Sequence, residues 1–326
     1  MAMTHPSIAA VSLNAAVDQT AFVPGFALDR VNRADATRVD AGGKGVNVAS
    51  FLAGFGHRVA LAGLLGRDNA ALFDRHFRTA GVDDRCIRID GATRTNIKIV
   101  DRTGDTVTDL NFPGAPATAD DLNAVAATVA DLAEAGLDWV ACCGSLPDGL
   151  GPDTYARLIA LARDRGAKVA LDTSGPALDQ ALQARPDIIK PNIDELGALL
   201  GRTLVDTDDV IRAARSIVSD GVRLVAVSMG ADGAILVTAR ESVLAVPPST
   251  PVVSTVGCGD AMVAGLIHAD TLGLGLADSA RLATGFSLGA LGQIGPRLPA
   301  PDQIESYARA VTVTALETTT EGRIHR

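Results

Sequence analysis

Thr255-Val256-Gly257-Cys258-Gly259-Asp260 is the stretch on which the reading of this chain turns. A β-rich lead-in (Val252, Val253) runs into two glycines that bracket one small residue. An aspartate follows, and a helical pattern then begins with Met262, Val263, Leu266 and Ile267. Glycines at 257 and 259 let the backbone turn tightly and let another group come close to it. The helix start behind them leaves unpaired N–H groups and a partial positive charge, a place for an anion. A carboxylate beside an anion site makes chemical sense when a group between them must lose a proton. An alcohol attacking a phosphate is such a group: Asp260 would take its proton, and the Gly257-Cys258-Gly259 turn would hold the phosphoryl charge. Alone, the stretch also fits an ordinary βα turn with an aspartate in the first helical turn, so other segments must decide.

Working outward, Ala41-Gly42-Gly43-Lys44-Gly45-Val46-Asn47-Val48-Ala49 is a second glycine cluster that opens a helix running to about Phe55. It lacks the GxxxxGK[ST] spacing of a Walker A loop. It still offers backbone N–H groups at a helix start, a lysine charge from Lys44, and an amide at Asn47 suited to hydroxyls. Before it, Ile8 to Leu13 reads as a buried strand that ends at Asn14-Ala15-Ala16-Val17-Asp18, the kind of strand end where open α/β sheets bind ligands. Between these segments the character changes. Val31-Asn32-Arg33 and Thr37-Arg38-Val39 look like strands with one wet face, after Pro24 and Gly25.

Val59 to Leu64 and Ile87 to Ile89 read as strands around a helix holding Leu72, Phe73 and Phe77. Thr93 to Val100, a Thr103-Gly104-Asp105 turn and Thr106 to Leu110 read as a β-hairpin. Arg94, Asn96 and Lys98 share one face of it, a basic, hydrogen-bonding surface suited to a phosphate. The planar fork of Arg94 fits phosphate oxygens, whereas Lys98 equally suits a solvated sheet face.

From Asp120 on, helices and strands alternate regularly. Helices are expected over about 119–135, around Tyr155, over 261–272, 276–291 and 301–315, with strands at Trp139 to Cys143, Val169 to Leu171, Ile188-Ile189 and Leu224 to Val227. Gly144-Ser145-Leu146-Pro147 and Asp172-Thr173-Ser174-Gly175 follow two of those strands. Asn192 and Glu195 have the N-cap and N3 spacing of a capping box, and the same carboxylate could help hold a hydrated magnesium ion. Ser228-Met229-Gly230-Ala231-Asp232-Gly233 is a tight turn into a hairpin with Ala234 to Val237. The polar tail after Glu317 reads as frayed. This alternation implies an α/β fold: a mostly parallel sheet with helices on both faces. The segments 15–41 and 93–115 do not fit that sheet and would form a small β lid. The core would then comprise 1–14, 42–92 and 116–326.

The 326 residues suffice for one large α/β domain or two ordinary ones. With 29 Lys and Arg against 38 Asp and Glu, the net charge of −9 argues against a nucleic-acid partner. Cys86, Cys142, Cys143 and Cys258 form no CxxC pair and no metal-ligand spacing with histidine, which suits a reducing, cytoplasmic compartment. The N-terminus has no secretory pattern. The long uncharged stretches are broken by Pro247, Pro248 and Pro251, or by glycines near 285–295, so no membrane-spanning helix is expected.

Taken together and in order, GGKGVNVA, TRTNIKI, TDLNFPG, GSLPDG, LDTSG, IIKPNIDEL, VSMGADGA and STVGCGDAMVAG resemble the pfkB-type carbohydrate kinases of the ribokinase-like superfamily, over nearly the whole chain. The resemblance implies a ribokinase-like fold and ATP-dependent phosphorylation of D-fructose 1-phosphate at its C6 hydroxyl. The same chemistry on tagatose 6-phosphate or fructose 6-phosphate is the nearest alternative, and a catalytically silent sugar-phosphate-binding regulator is the alternative of another class. It implies Asp260 as general base and Gly257, Cys258 and Gly259 as the anion hole. Asp18, Gly43, Lys44 and Asn47 would hold the sugar; Arg94, with Arg33, Lys98 and Ser145, would hold the phosphate already on it. Lys190, Asn192, Ser228, Gly230 and Gly233 would serve ATP, and Asn192 and Glu195 would organise Mg2+ through water. It also implies a homodimer formed through the lid. Two departures from the family pattern stand out: Asn14-Ala15-Ala16 where Asn-Pro-Ala is common, and Cys258 where alanine is frequent. The first leaves Asp18 in place, the second leaves the N–H, and Cys258 would be open to thiol reagents.

Overall fold

A computed structural model describes residues 7–104, 106–252 and 254–316. Asp105 of the expected turn, Val253 of the expected β-rich lead-in and the tail from Glu317 lie outside the described residues. The chain begins β1 (Ile8–Ser12), β2 (Ala16–Phe22), β3 (Ala36–Gly42), α1 (Lys44–Gly54), β4 (Val59–Gly66), α2 (Ala70–Ala80) and β5 (Asp83–Ile89). There follow β6 (Thr95–Asp101), β7 (Thr106–Leu110), α3 (Ala119–Glu134), β8 (Trp139–Cys143), α4 (Thr154–Arg163), β9 (Lys168–Asp172), α5 (Pro176–Leu182) and β10 (Ile188–Ile189). The remainder is α6 (Ile193–Leu199), α7 (Thr207–Ser219), β11 (Leu224–Ser228), β12 (Ala234–Val237), β13 (Ser242–Val246), α8 (Cys258–Thr271), α9 (Leu276–Leu291), α10 (Pro301–Ala310) and β14 (Thr312–Ala315).

Ten strands form one sheet in the order β14-β13-β12-β11-β10-β9-β8-β1-β4-β5. The run from β11 to β5 is parallel, and β12, β13 and β14 extend it antiparallel. The central strands are buried at every position and almost wholly apolar because both faces are covered. On one face pack α1, α2, α8, α9 and α10, through residues such as Phe51, Phe73, Met262, Phe286 and Ile304. On the other pack α3 to α7, through Val125, Tyr155, Leu178, Leu196 and Ile217. Adjacent Cys142 and Cys143 point into opposite layers, as strand alternation requires.

β3, β2, β6 and β7 form a separate four-stranded sheet, built from the two segments that broke the αβ rhythm. β2 pairs in parallel with β6, placing Asp18 beside Asn96 and Thr20 beside Lys98.

Three expectations need correcting. Val31-Asn32-Arg33 is not a strand. The loop closes on itself instead, with Asn32 bonding both the N–H and the carbonyl of Ala27, and Val31 is 77% exposed, with no strand to pair with. The helix expected over 301–315 stops at Ala310, because Val311 turns to extended backbone (φ −74°, ψ 127°) and Thr312–Ala315 adds to the sheet edge on β13. The lead-in to Gly257 is irregular where described, since Pro247, Pro248 and Pro251 cannot donate to a ladder.

Candidate active site

The site is built at the ends of β1, β8, β9 and β10, where the N-termini of α1 and α8 and the four-stranded sheet converge. Gly257 adopts φ +79° as the residue before α8, a left-handed conformation that glycine enters without strain. The turn therefore directs the first N–H groups of a 14-residue helix outward. The Cys258 N–H is partly engaged by Thr255 O at 3.4 Å. At the other glycine cluster, a side chain at Gly42 would collide with the Asp18 carboxylate. Glycine there is a condition for Asp18 reaching the site.

A cavity of about 360 Å³ lies between the two sheets, lined by Asp18, Gly43, Lys44, Asn47, Arg94, Lys98, Ser145, Glu195, Gly257 and Asp260. A second cavity, of about 540 Å³, is lined by Ser228, Gly230, Gly233, Cys258 and Gly259, with apolar walls from Pro247, Pro248, Met262, Leu288 and Leu291. The Gly257–Asp260 turn is thus the wall between them: Gly257 and Asp260 face the first cavity, Cys258 and Gly259 the second.

Asp260 is 6% exposed, and Asn47 Nδ2 donates to its Oδ2 at 2.7 Å. Burial and, next, the neighbouring Asp172 carboxylate push its pKa up to about 6, although Lys44 and Asn47 work against the rise. The result is a carboxylate that is ionised at neutral pH yet a stronger base than an ordinary aspartate. Asp18 accepts from Asn96 Nδ2 at 3.3 Å, and burial raises its pKa as well. Arg94 donates to the carbonyls of Phe112 (3.0 Å), Asn14 (3.2 Å) and Ala15 (3.4 Å), which aims the guanidinium and still leaves N–H groups to spare. Lys98 pairs with Asp109 across the hairpin. Ser145 Oγ accepts from Asn14 Nδ2 at 3.1 Å.

Not every residue singled out from the sequence reaches a cavity wall. Arg33 sits exposed in the β2–β3 loop and lines neither cavity. Lys190 is 4% exposed, beneath Gly259 rather than in the second cavity, with Nζ 3.5 Å from Asp172 Oδ1. Asn192 caps α6: its Oδ1 accepts from the Glu195 N–H at 2.7 Å, and Glu195 Oε2 accepts from the Asn192 N–H at 2.8 Å. That box uses one Glu195 oxygen and leaves the other, with the carboxylate at the cavity wall. Among the described residues no group of three or more His, Cys, Asp or Glu forms a metal cage. Glu195 therefore fits a hydrated ion held through water, not a directly caged one.

The surroundings of Cys258 disfavour its reactive thiolate. Burial, with Asp260 beside it, pushes its pKa up to about 12.

Sequence reasoning gave no role in the site to Asp172, Thr173 and Ser174. Asp172 is the most consequential. It ends β9 with its side chain fully buried, 3.0 Å from Lys44 Nζ. Burial would raise its pKa, but Lys190 and Lys44 outweigh it and hold Asp172 below the usual carboxylate range. Lys44 in turn sits above the usual lysine range: burial opposes its charge, but Asp172 and Asp260 prevail. The available signal was position, a polar residue just at the C-terminal end of a central parallel strand.

Residues 7–303 match the model of the pfkB family of carbohydrate kinases. The chain is similar to the 1-phosphofructokinase of Rhodobacter capsulatus, at 66% identity over 95% of this chain and 98% of that protein. It is 43% identical to the 1-phosphofructokinase of Xanthomonas campestris pv. campestris, over 94% of this chain and 98% of that protein. Among solved structures it resembles a protein of Thermotoga maritima named as a possible 1-phosphofructokinase, with a TM-score of 0.87 and 25% identity, covering 95% of this chain and 99% of the other. No helix among the described residues is long and apolar enough to cross a membrane.

Proposed function

Because the chain belongs to the pfkB family of carbohydrate kinases, we propose that it acts as a 1-phosphofructokinase: D-fructose 1-phosphate and ATP give D-fructose 1,6-bisphosphate and ADP. The observation that carries the mechanism is the shared wall. One glycine turn separates a small polar cavity from a larger, part-apolar one, and the buried base Asp260 lies on the polar side. A sugar in the first cavity and a nucleotide in the second would meet across the first N–H groups of α8.

In this reading Asp18, Asn47 and the Gly43-Lys44 turn hold the sugar hydroxyls. Arg94 and Lys98 take the phosphate already present, away from the reacting hydroxyl. Asn47 occupies Asp260 Oδ2 and so leaves Oδ1 for the C6 hydroxyl proton. Asp260 accepts that proton as the oxygen attacks, a role typically worth about 10²–10⁴-fold. The N–H groups at the start of α8 stabilise the equatorial phosphoryl oxygens, and Lys44 adds a positive charge on the same side. The apolar wall of Met262, Leu288 and Leu291 suits a flat base, with Ser228, Gly230 and Gly233 on its polar rim. Glu195 would hold a hydrated Mg2+ on the nucleotide phosphates, whose charge that ion neutralises.

We read the four-stranded sheet, within segments 15–41 and 93–115, as a lid on a core of 1–14, 42–92 and 116–326, closing over the sugar to exclude water. Val39 and Leu110 are about half-exposed and share one face of it, an apolar surface that supports dimerisation through the lid. Four free cysteines suit a cytoplasmic enzyme.

The test is a coupled ADP-release assay with Mg-ATP, offering fructose 1-phosphate, fructose 6-phosphate and tagatose 6-phosphate in parallel. Preference for fructose 1-phosphate is expected. Preference for a 6-phosphate would overturn the substrate assignment, and binding without turnover of any of the three would replace the kinase by a sugar-phosphate-binding regulator.

A further inference from the structure

Asp172 touches neither cavity, yet two of the positive charges around the reaction path converge on it. It ends β9, and β10 runs beside it in parallel register, so that Lys190 follows Ile189 immediately next to Asp172. Lys190 Nζ lies 3.5 Å from Asp172 Oδ1 on one side. Lys44, the first residue of α1, places its Nζ 3.0 Å from the same oxygen on the other. Lys44 continues into the sugar cavity. Lys190 packs beneath the anion turn, where a side chain at Gly259 would come 3.3 Å from its Nζ. One carboxylate oxygen thus joins a lysine of the sugar side to a lysine beneath the phosphoryl turn.

The arrangement is a poor device for stability alone. Asp172 is fully buried, and its second oxygen, Oδ2, has no hydrogen-bond partner among the described residues. A buried ion network is often no more stabilising than apolar side chains of the same volume, and a half-satisfied one is worse. What a fixed carboxylate does supply is position. A lysine ammonium ends a flexible four-carbon stem and carries about 2 kcal/mol of rotamer entropy. Two such ammoniums close together also repel. A shared, immobile anion removes both problems and fixes the two charges relative to each other before substrate arrives.

We propose that Asp172 is a positioning residue of the phosphoryl transfer, acting through Lys44 and Lys190 to hold their ammonium groups as a pair, Lys44 at the sugar cavity and Lys190 beneath the Gly257–Asp260 turn. The proposal rests on the kinase reading above for its catalytic consequence and on the Asp172–lysine geometry for its physical content, and the two are tested separately.

The variant is Asp172→Asn, which keeps the size and removes the charge. Displacing a charged group by about 1 Å can cost on the order of 10²-fold in rate. The expected result is a kcat lower by about that factor, with the KM for fructose 1-phosphate changed far less. Lys44→Met and the double variant complete a cycle. Because Asp172 acts in part through Lys44, the double variant should be worse than Lys44→Met by much less than the factor that Asp172→Asn costs alone. In wild-type protein labelled with 15N-lysine, two ammonium resonances should be protected from solvent exchange, assigned by their loss in Lys44→Met and Lys190→Met, and both should lose protection in Asp172→Asn. Retention of more than half of kcat in Asp172→Asn, or losses that simply multiply in the cycle, would overturn the proposal. If Asp172→Asn fails to fold, the wild-type spectrum decides: two protected ammoniums support the pairing, and none refutes it. A wild-type protein silent on every phosphosugar would sink the kinase reading, while the ammonium spectrum would still report on the pairing.

Discussion

Replacing Asp260 with asparagine should cost nearly all activity and yet make the protein more stable, and both effects follow from one property of the site. Asp260 is buried, and its pKa is pushed up to about 6 from an ordinary value of 3.8. Between those two values the folded state holds a proton that the unfolded chain has released. Folding therefore becomes less favourable as pH rises through that window, and the deficit is complete above about pH 6. At 1.36 kcal/mol per pH unit, that displacement gives a deficit of roughly 3 kcal/mol at pH 8 and about half of that at pH 5. Asparagine has the shape of the protonated acid and can still accept from Asn47, so Asp260→Asn escapes the deficit. Its advantage over wild type should grow by roughly 1–2 kcal/mol between pH 5 and pH 8.

Two assays settle it. Urea unfolding of both proteins at pH 5, 6.5 and 8 measures the gap. Steady-state turnover should show a fall of about 10²–10⁴-fold, and wild-type kcat/KM should rise through an acid limb near pH 6. A variant that is less stable than wild type at pH 8, or a gap independent of pH, would refute the claim that burial sets the base. A variant retaining a tenth of the activity would refute its role as base.

Three further outcomes are expected. Arg94→Ala removes a charge-assisted contact worth ~1.5–3 kcal/mol, so kcat/KM for fructose 1-phosphate should fall about 10–100-fold while that for unphosphorylated fructose barely changes; equal losses on both sugars would move the phosphate elsewhere. Cys258, with a pKa pushed up to about 12, should resist iodoacetamide at pH 7.5, and peptide mass spectrometry should find it unmodified while activity persists. His57 Nε2 and His268 Nδ1 lie 2.8 Å apart, and burial lowers the pKa of His268 to about 4. Because that folded value is depressed, its contribution is intact above about pH 6.5 and disappears as pH falls towards 4. With the ring only partly buried and so partly screened, the acid loss should be ~1–2 kcal/mol, absent in His268→Gln by urea unfolding.

What could be read from the sequence was what is local. The demand for glycine at Gly43 and Gly257 is imposed by their positive φ, and the Asn192–Glu195 box closes within four residues, so each is visible in a short string. The lid could be anticipated because two segments broke the αβ rhythm and then paired with each other. The failures were non-local. Val31-Asn32-Arg33 has strand-like residues but no strand to bond, and Thr312–Ala315 became a strand because β13 offered it an edge. Arg33 was grouped with the phosphate contacts, but the self-bonded Ala27–Asn32 loop keeps it outside both cavities. Asp172 stood in the LDTSG string without a role, because its meaning arises only when residues 44, 172 and 190 meet.

That meeting also governs the base, and it makes an opposed pair of predictions. Asp172 raises the pKa of Asp260, whereas Lys44 and Lys190 lower it. Two carboxylates and two ammoniums thus balance, and removing one member leaves a net charge beside Asp260. Lys44→Met takes away a stabilising cation, so the base should bind its proton more tightly and the acid limb of kcat/KM should move to higher pH. Asp172→Asn takes away a repelling anion, so the limb should move to lower pH even as the maximal rate falls. A common loss of activity from general damage would leave both limbs where they are. Limbs displaced in opposite directions require that the strength of Asp260 is set by charges delivered from the start of α1 and the ends of β9 and β10. If the limbs move together or not at all, the electrostatic account of the base fails, whatever the rates.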